Sequence, residues 1–153
     1  MKSFLQQFTE NSTYQSLLKH LQTKENAEVT GLAGASLSIV IANLFNTVHR
    51  PLLVLLPDKE ESAYILNDLE TLVGEQVLFF PDSYRRPYQI EDTDNANVLL
   101  RAEVLNQLSH NTKPLLIVSY PEALFEKVIT RKQLEKNTLK IQKGDSLTID
   151  FLN

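Results

Sequence analysis

The chain has 153 residues, of which 42% are hydrophobic and 22% charged, and this composition excludes collagen-like, low-complexity and wholly disordered proteins. It has no cysteine, which excludes disulfides, thiolate metal sites and cysteine catalysis. The formal net charge of −4 argues against a stand-alone nucleic-acid binder that works by neutralising phosphates. No apolar run approaches the ~18 residues of a membrane span, so the sequence predicts a cytoplasmic protein without membrane contact.

The first 80 residues predict helices and strands in alternation. Apolar residues at three- and four-residue spacings predict one or two helices over 4–22, and 27–32 predicts a short strand before a tight turn. A helix over 35–48 follows, with apolar residues around most of its circumference, which is typical of a helix packed on several sides. The apolar run 51–56 predicts a strand buried on both faces, Asp58 caps a helix over 59–72 that stops at Gly74, and 77–80 is another strand.

The next fifty residues continue this pattern after an interruption. Residues 81–95 are polar and predict a long surface loop. A helix over 95–108, a buried strand over 115–118 and a helix over 122–128 follow. The buried face of the first of these helices is predicted to carry Val98, Leu99, Ala102, Leu105 and Leu108. Strands that alternate with crossover helices predict an α/β fold, in which a parallel sheet is covered by helices on both faces.

The pattern changes after residue 128. Residues 130–137 are polar, Leu139 and Ile141 predict an edge strand, and 146–152 predicts a helix of about two turns that would be marginal alone. Residues 1–112 carry a net charge of −6 and 113–144 carry +4, which indicates either a solvated basic face or a contact surface. The sequence therefore predicts an α/β domain over 1–128 and the truncated start of a second, small α+β domain over 129–153.

The clearest candidate for a functional motif lies at the turn into the helix over 35–48. In a P-loop, G-x-x-x-x-G-K-[ST], backbone N–H groups and a lysine hold the phosphates while a hydroxyl binds Mg²⁺. Counted from Gly31, the second glycine falls at Ser36, the lysine at Leu37 and the hydroxyl at Ser38, with Gly34 inside the loop. Because Leu37 cannot neutralise a phosphate, the sequence predicts a degenerate, non-functional phosphate loop or a plain strand-to-helix turn, with weak anion binding at the helix start as the most it could do.

Other titratable groups predict no catalytic residue and no metal site. His20, His49 and His110 each lie near a predicted helix end and have no serine or aspartate partner at motif spacing. The acidic pairs and triplets likewise lack matching partners and are more typical of helix starts and loops: Glu60, Glu61, Glu91, Asp92 and Asp94.

The predicted loop over 81–95 has a composition typical of binding segments. Tyr84, Arg85, Arg86 and Tyr88 lie within five positions. Arginine pairs with phosphates, and tyrosine stacks on bases or anchors protein contacts. These four residues are therefore a possible partner or DNA contact, although Tyr88 can equally pin the loop to the domain while the arginines stay solvated.

Four segments occur in a set order along the chain. They are Val29-Thr30-Gly31-Leu32-Ala33-Gly34-Ala35-Ser36, Pro51-Leu52-Leu53-Val54-Leu55-Leu56-Pro57-Asp58, Phe80-Pro81-Asp82 followed by Pro87-Tyr88, and Ile117-Val118-Ser119-Tyr120-Pro121-Glu122-Ala123-Leu124. In order and spacing they resemble the N-terminal part of the bacterial transcription-repair coupling factors, the Mfd family, over about residues 15–153. That region is similar to the first domain of the repair protein UvrB, a RecA-like α/β fold whose phosphate loop is intact in UvrB and degraded in Mfd. Leu37 agrees with the degraded version.

The resemblance implies a parent protein that is an ATP-driven DNA translocase, removes stalled RNA polymerase at lesions and recruits nucleotide excision repair through UvrA. ATP and Mg²⁺ would bind in motor domains downstream, so this chain would be a non-catalytic domain without a cofactor that contacts those domains. From about residue 129 it would begin the UvrA-binding domain, although the family's UvrA-facing Arg and Phe positions are not carried over to this chain. The alternative is a stand-alone nucleotide- or DNA-binding α/β module with an unusual phosphate site.

Overall fold

The computed structural model describes residues 2–23, 26–83 and 95–137, which form a mixed α/β structure. None of the helices in these ranges is long and apolar enough to cross a membrane. The strand and helix predicted beyond residue 137 lie outside the described residues. The elements are α1 (Lys2–Thr9), α2 (Ser12–Gln22), α3 (Ser36–Val48), β1 (Leu52–Leu55), α4 (Lys59–Val73), β2 (Val77–Phe80), α5 (Asn95–His110), β3 (Leu116–Ser119), α6 (Pro121–Phe125) and α7 (Arg131–Asn137).

The sheet is parallel, as predicted, and in the described part of the chain it has three strands in the order β1-β3-β2. Leu116 of β3 is in register with Leu52 of β1 and with Val77 of β2. The predicted strand over 27–32 is wrong: these residues are exposed, form no strand and make no backbone hydrogen bond within the described chain. A strand exists only where a neighbouring strand pairs with its N–H and C=O groups, and among the described residues this segment has no such neighbour.

Helices cover both faces of the sheet. On one face α3 and α4 pack against the strands through a buried cluster that includes Phe45, Leu69, Leu116 and Val118. Residues 36–45 of α3 include no exposed position, which confirms that this helix is packed on several sides. The second cluster lies on the opposite face, where α5 and α6 contribute Val104 and Ala123 against Phe80, Leu115, Ile117 and Tyr120.

Strand β1 corrects the prediction that 51–56 is buried on both faces. Leu52 and Val54 pack against the α3–α4 cluster, whereas Leu53 and Leu55 are 56% and 52% exposed. The cause is strand order, because β1 lies at the edge of the sheet while the central strand β3 is buried at all four positions.

Helix α5 forms as predicted but turns a different face to the sheet. Val98, Ala102 and Leu108 are exposed, and Leu99 is 69% exposed. Of the predicted face, Leu105 alone packs partly against the core. The buried positions are Val104 and Arg101, and the partners of Arg101 determine how the helix is turned.

Side chains that cap the helices explain several boundaries. Asn11 Oδ1 accepts hydrogen bonds from the backbone N–H groups of Thr13 and Tyr14, so it separates α1 from α2 within the range predicted to hold one or two helices. Asp58 Oδ1 accepts from Glu61 N at 2.8 Å and caps α4, and Gly74 follows its last residue with a φ of 89°. Both boundaries of α4 were predicted.

The end of the described chain differs from the prediction. Helix α6 ends at Phe125 instead of residue 128, and the polar segment 130–137 contains a helix, α7. Thr130 and Gln133 form a reciprocal capping box at its start, with Gln133 N donating to Thr130 Oγ1 and Gln133 Oε1 accepting from Thr130 N. Leu134 of α7 is buried and the helix contacts α5. The division of the chain at residue 128 stays a prediction.

Candidate functional site

The segment predicted as a phosphate loop forms a turn into α3. Gly31 and Gly34 have φ angles of 77° and 56°, which is the left-handed region that glycine adopts without strain. Ser36 Oγ donates to Ala33 O at 2.7 Å and closes the turn. Ala35 precedes α3 and gives it no side-chain cap, so the first N–H groups of this helix have no side-chain acceptor.

The two side chains that a P-loop would use are directed into the protein. Leu37, at the position of the lysine, packs against the cluster beneath α3 and α4. Ser38, at the position of the Mg²⁺-binding hydroxyl, is fully buried and donates to Asp68 Oδ2 at 2.8 Å. This hydrogen bond joins α3 to α4, so the hydroxyl is committed to helix packing. The described loop thus presents neither a cation nor a free hydroxyl to a phosphate.

The Tyr/Arg segment lies outside the described residues. Tyr84, Arg85, Arg86 and Tyr88 were predicted as a possible partner or DNA contact, and that prediction stays open. The residues on either side of this segment are described, and both sides are bound to one polar cluster at the carboxyl ends of β2 and β3. This cluster was not predicted from the sequence.

Arg101 is the centre of that cluster and is only 6% exposed. Its Nη1 donates to Pro81 O at 2.6 Å and to Ala123 O at 3.0 Å, and its guanidinium lies 4.2 Å from the centre of the Phe80 ring. Glu126 Oε2 lies 3.5 Å from the same nitrogen and is also buried. A buried arginine needs acceptors for its donors and a compensating charge, and these neighbours supply both.

Glu126 extends the cluster to the chain before the Tyr/Arg segment. Its two carboxylate oxygens accept from Ser83 N, at 2.7 Å, and from Ser83 Oγ. On the other side of the segment, Asn97 Nδ2 donates to Asp82 O at 2.9 Å. We call Asp82, Ser83, Asn97, Arg101, Tyr120 and Glu126 the Arg101 cluster. It holds the chain before residue 84 and after residue 94 at the same place.

Tyr120 and Asp82 complete the cluster. Tyr120 Oη donates to Asp82 Oδ1 at 2.5 Å and accepts from Asp82 N at 3.0 Å. In the described chain no buried side-chain nitrogen or oxygen lacks a hydrogen-bond partner. The Arg101 cluster therefore joins residues 81–83, α5 and residues 120–126, and acts as a structural clamp.

Tyr120 gives the clamp a dependence on alkaline pH. Burial raises the pKa of its phenol well above the ordinary value of 10.0, and the hydrogen bond that it donates to Asp82 raises it further. The proton is thus held more tightly in the folded state than in the unfolded chain. This stabilisation is complete below the unfolded pKa and is lost as the pH rises above it, by about 1.4 kcal/mol per pH unit.

We therefore expect Tyr120 to remain protonated above pH 10 while exposed tyrosines ionise. The ultraviolet absorbance of tyrosinate, followed against pH and compared with the variant Tyr120→Phe, measures this. The variant should lose one late-ionising tyrosine and show a flatter decline of unfolding free energy above pH 10. If, below the alkaline unfolding transition, the wild type already shows one more ionised tyrosine than the variant at about pH 10, Tyr120 ionises normally and the expectation fails.

A cavity of about 590 Å³ lies between α2 and residues 26–30. Its wall combines aromatic and aliphatic side chains, including Phe8, Leu17 and Val40, with scattered polar groups. Within it, His20 Nε2 lies 3.1 Å from Asn26 O. The size suits a small ligand, and none of the described lining residues is a lysine or an arginine.

The three histidines lie at helix ends, as predicted. His20 and His110 are in the last turns of α2 and α5, and His49 follows α3 with a φ of 49°. In the described ranges, no three histidine, aspartate or glutamate side chains come together as a metal site.

No protein-family model, curated protein or solved structure matches this chain.

Proposed function

We propose that this chain is the N-terminal, non-catalytic domain of a transcription-repair coupling factor. The parent protein would be an ATP-dependent DNA translocase in the cytoplasm that removes RNA polymerase stalled at lesions and recruits nucleotide excision repair through UvrA. The resemblance of four ordered segments to that family supports the proposal. So does the mixed α/β structure, because a parallel sheet between helices is what a RecA-like domain requires.

The proposal rests on where the side chains at the two P-loop positions lie. Phosphoryl transfer is catalysed by positioned positive charge and a bound Mg²⁺. At the corresponding positions Leu37 packs in the core and the Ser38 hydroxyl donates to Asp68. A chain with this arrangement contributes through contacts with other domains and proteins, and the ATP chemistry belongs to motor domains elsewhere in the parent protein.

Calorimetric titration of the chain with ATP and Mg²⁺ tests the non-catalytic assignment. We expect no binding tighter than about 100 μM, which corresponds to about −5.5 kcal/mol. The titration without Mg²⁺ is the matched control, since a weak anion site at the start of α3 would bind equally in both. Binding tighter than that limit only with Mg²⁺ would contradict the proposal.

The gene provides an independent test of the family. Downstream of the codon for Asn153, the reading frame of a coupling factor should encode an intact G-K-[ST] phosphate loop and further helicase motifs. A reading frame without them would overturn the family assignment even if the chain binds no nucleotide.

The uncapped start of α3 favours the second candidate, a stand-alone nucleotide- or DNA-binding module. That candidate requires Mg²⁺-dependent nucleotide binding or salt-sensitive retention on duplex DNA. Both measurements use the isolated chain, and a negative result in both eliminates this candidate.

A further inference from the structure

One edge of β1 has no paired strand within the described part of the chain. Leu52 N donates to Leu115 O and Leu56 N donates to Ser119 O, both at 3.0 Å, so every second residue of β1 faces β3. In a parallel ladder the residues between them direct their N–H and C=O groups to the other side. Leu53 and Leu55 are these residues, and no described residue bonds to their backbone groups.

Within its four residues, β1 carries no charge, bulge or proline that would oppose pairing of this edge. Exposed edge strands commonly carry a charge, a bulge or an internal proline. The four residues of β1 are Leu52, Leu53, Val54 and Leu55, all apolar, and they pair with β3 without a bulge. Leu53 and Leu55 also expose more than half of their side chains on the face opposite α3 and α4.

The two prolines that flank β1 restrict how the edge can pair. Pro51 and Pro57 lie at the next outward-facing positions, and neither has an N–H group to donate. Two β1 strands could pair antiparallel in several registers. Only when Leu53 of one strand lies opposite Leu55 of the other do both residues form pairs that exchange two hydrogen bonds. This register is identical when seen from either strand, so two copies of β1 that are related by a twofold axis can adopt it.

The charges next to β1 fit the same register. Residue 50 of one copy then lies opposite residue 58 of the other, which places Arg50 opposite Asp58 at both ends of the ladder. Both residues are exposed. A parallel arrangement of two copies would instead place like charges side by side.

We propose that two copies of this chain associate by antiparallel pairing of their β1 edges, which joins the three described strands of each copy into one continuous sheet. Leu53 and Leu55 of each copy are buried against Leu55 and Leu53 of the other. The ladder is short, so the interface belongs to the small class that gives weak, concentration-dependent association.

Sedimentation equilibrium of the whole chain tests the proposal. We expect a monomer–dimer equilibrium at concentrations up to the order of 1 mM. Leu53→Lys should leave the chain monomeric, because it places a charge in the apolar pair, whereas Phe125→Lys, at an exposed apolar residue on α6, should associate like the wild type. A wild-type chain that stays monomeric, or a Leu53→Lys chain that still dimerises, overturns the proposal.

Arg50→Glu tests the register without changing the strand. Two attractive pairs become repulsive, so the dissociation constant should rise about tenfold. If Leu53→Lys fails to fold, Arg50→Glu becomes the deciding variant. An unchanged dissociation constant for Arg50→Glu contradicts the proposed pairing.

Val54→Cys gives a covalent test. Val54 lies opposite its own copy in this register, and the chain has no other cysteine. Under mild oxidation the variant should form a disulfide-linked dimer at least tenfold faster than the control Phe125→Cys. Equal rates would show that the strands do not pair in this register.

Discussion

Replacing Arg101 by methionine should lower the free energy of unfolding by about 3–5 kcal/mol, as measured by urea denaturation followed by circular dichroism. Methionine fills much of the same volume but donates no hydrogen bond. Pro81 O and Ala123 O lose a donor, and Glu126 keeps a buried charge without its partner. Buried groups left without partners account for the size of the loss.

Two further variants distinguish the stability lost with the Arg101 cluster from a general effect of removing an arginine. Arg50→Met removes an exposed arginine and should change the unfolding free energy by less than about 0.5 kcal/mol. The double variant Arg101→Met with Glu126→Gln should be more stable than Arg101→Met alone, because the uncompensated charge is gone. A loss below about 1 kcal/mol for Arg101→Met would mean that the Arg101 cluster does not stabilise the fold.

Leu37→Lys should fail to create a nucleotide site and should cost about 1–3 kcal/mol of stability. The variant restores the P-loop lysine in sequence, but residue 37 packs against the core between α3 and α4. Ser36 still stands where the second glycine is needed, and the Ser38 hydroxyl still donates to Asp68. We expect ATP–Mg²⁺ titration to give no affinity tighter than about 100 μM.

Asn46→Lys is the matched control, because it places a lysine at an exposed position of the same helix. It should leave both stability and nucleotide affinity within about 0.5 kcal/mol of the wild type. If Leu37→Lys gained Mg²⁺-dependent binding while Asn46→Lys did not, the loop would be one substitution from a working site and its description as degenerate would be wrong.

Helix positions and capped boundaries could be predicted because they depend on neighbouring residues. Asn11, Asp58 and Gly74 each act within four residues of the helix they bound. Strand pairing depends on distant residues instead. The run 51–56 was predicted to be buried on both faces, because a sequence does not state that β3 will occupy the centre and leave β1 at the edge. The segment 27–32 has the residue pattern of a strand, but the described chain provides no strand that pairs with it.

The candidate site was likewise predictable only in part, because some of its features are local in the sequence and others depend on distant residues. The absence of a lysine at position 37 is visible in the sequence, whereas the burial of Ser38 against Asp68 depends on how α3 meets α4. Arg101 was missed because a charged residue, here between Leu100 and Ala102, is expected to face solvent. Its burial depends on carbonyl groups of Pro81 and Ala123, which the fold brings to it from two other segments.

The central position of β3 has a consequence for how the molecule unfolds. Leu116 and Val118 belong to the cluster beneath α3 and α4, whereas Leu115, just before the strand, and Ile117 belong to the cluster beneath α5. The two clusters therefore share one backbone segment and neither can come apart without exposing the other. Cooperative unfolding of the described sheet thus depends on a strand of four residues. A substitution that destabilises β3 should therefore destabilise both clusters at once.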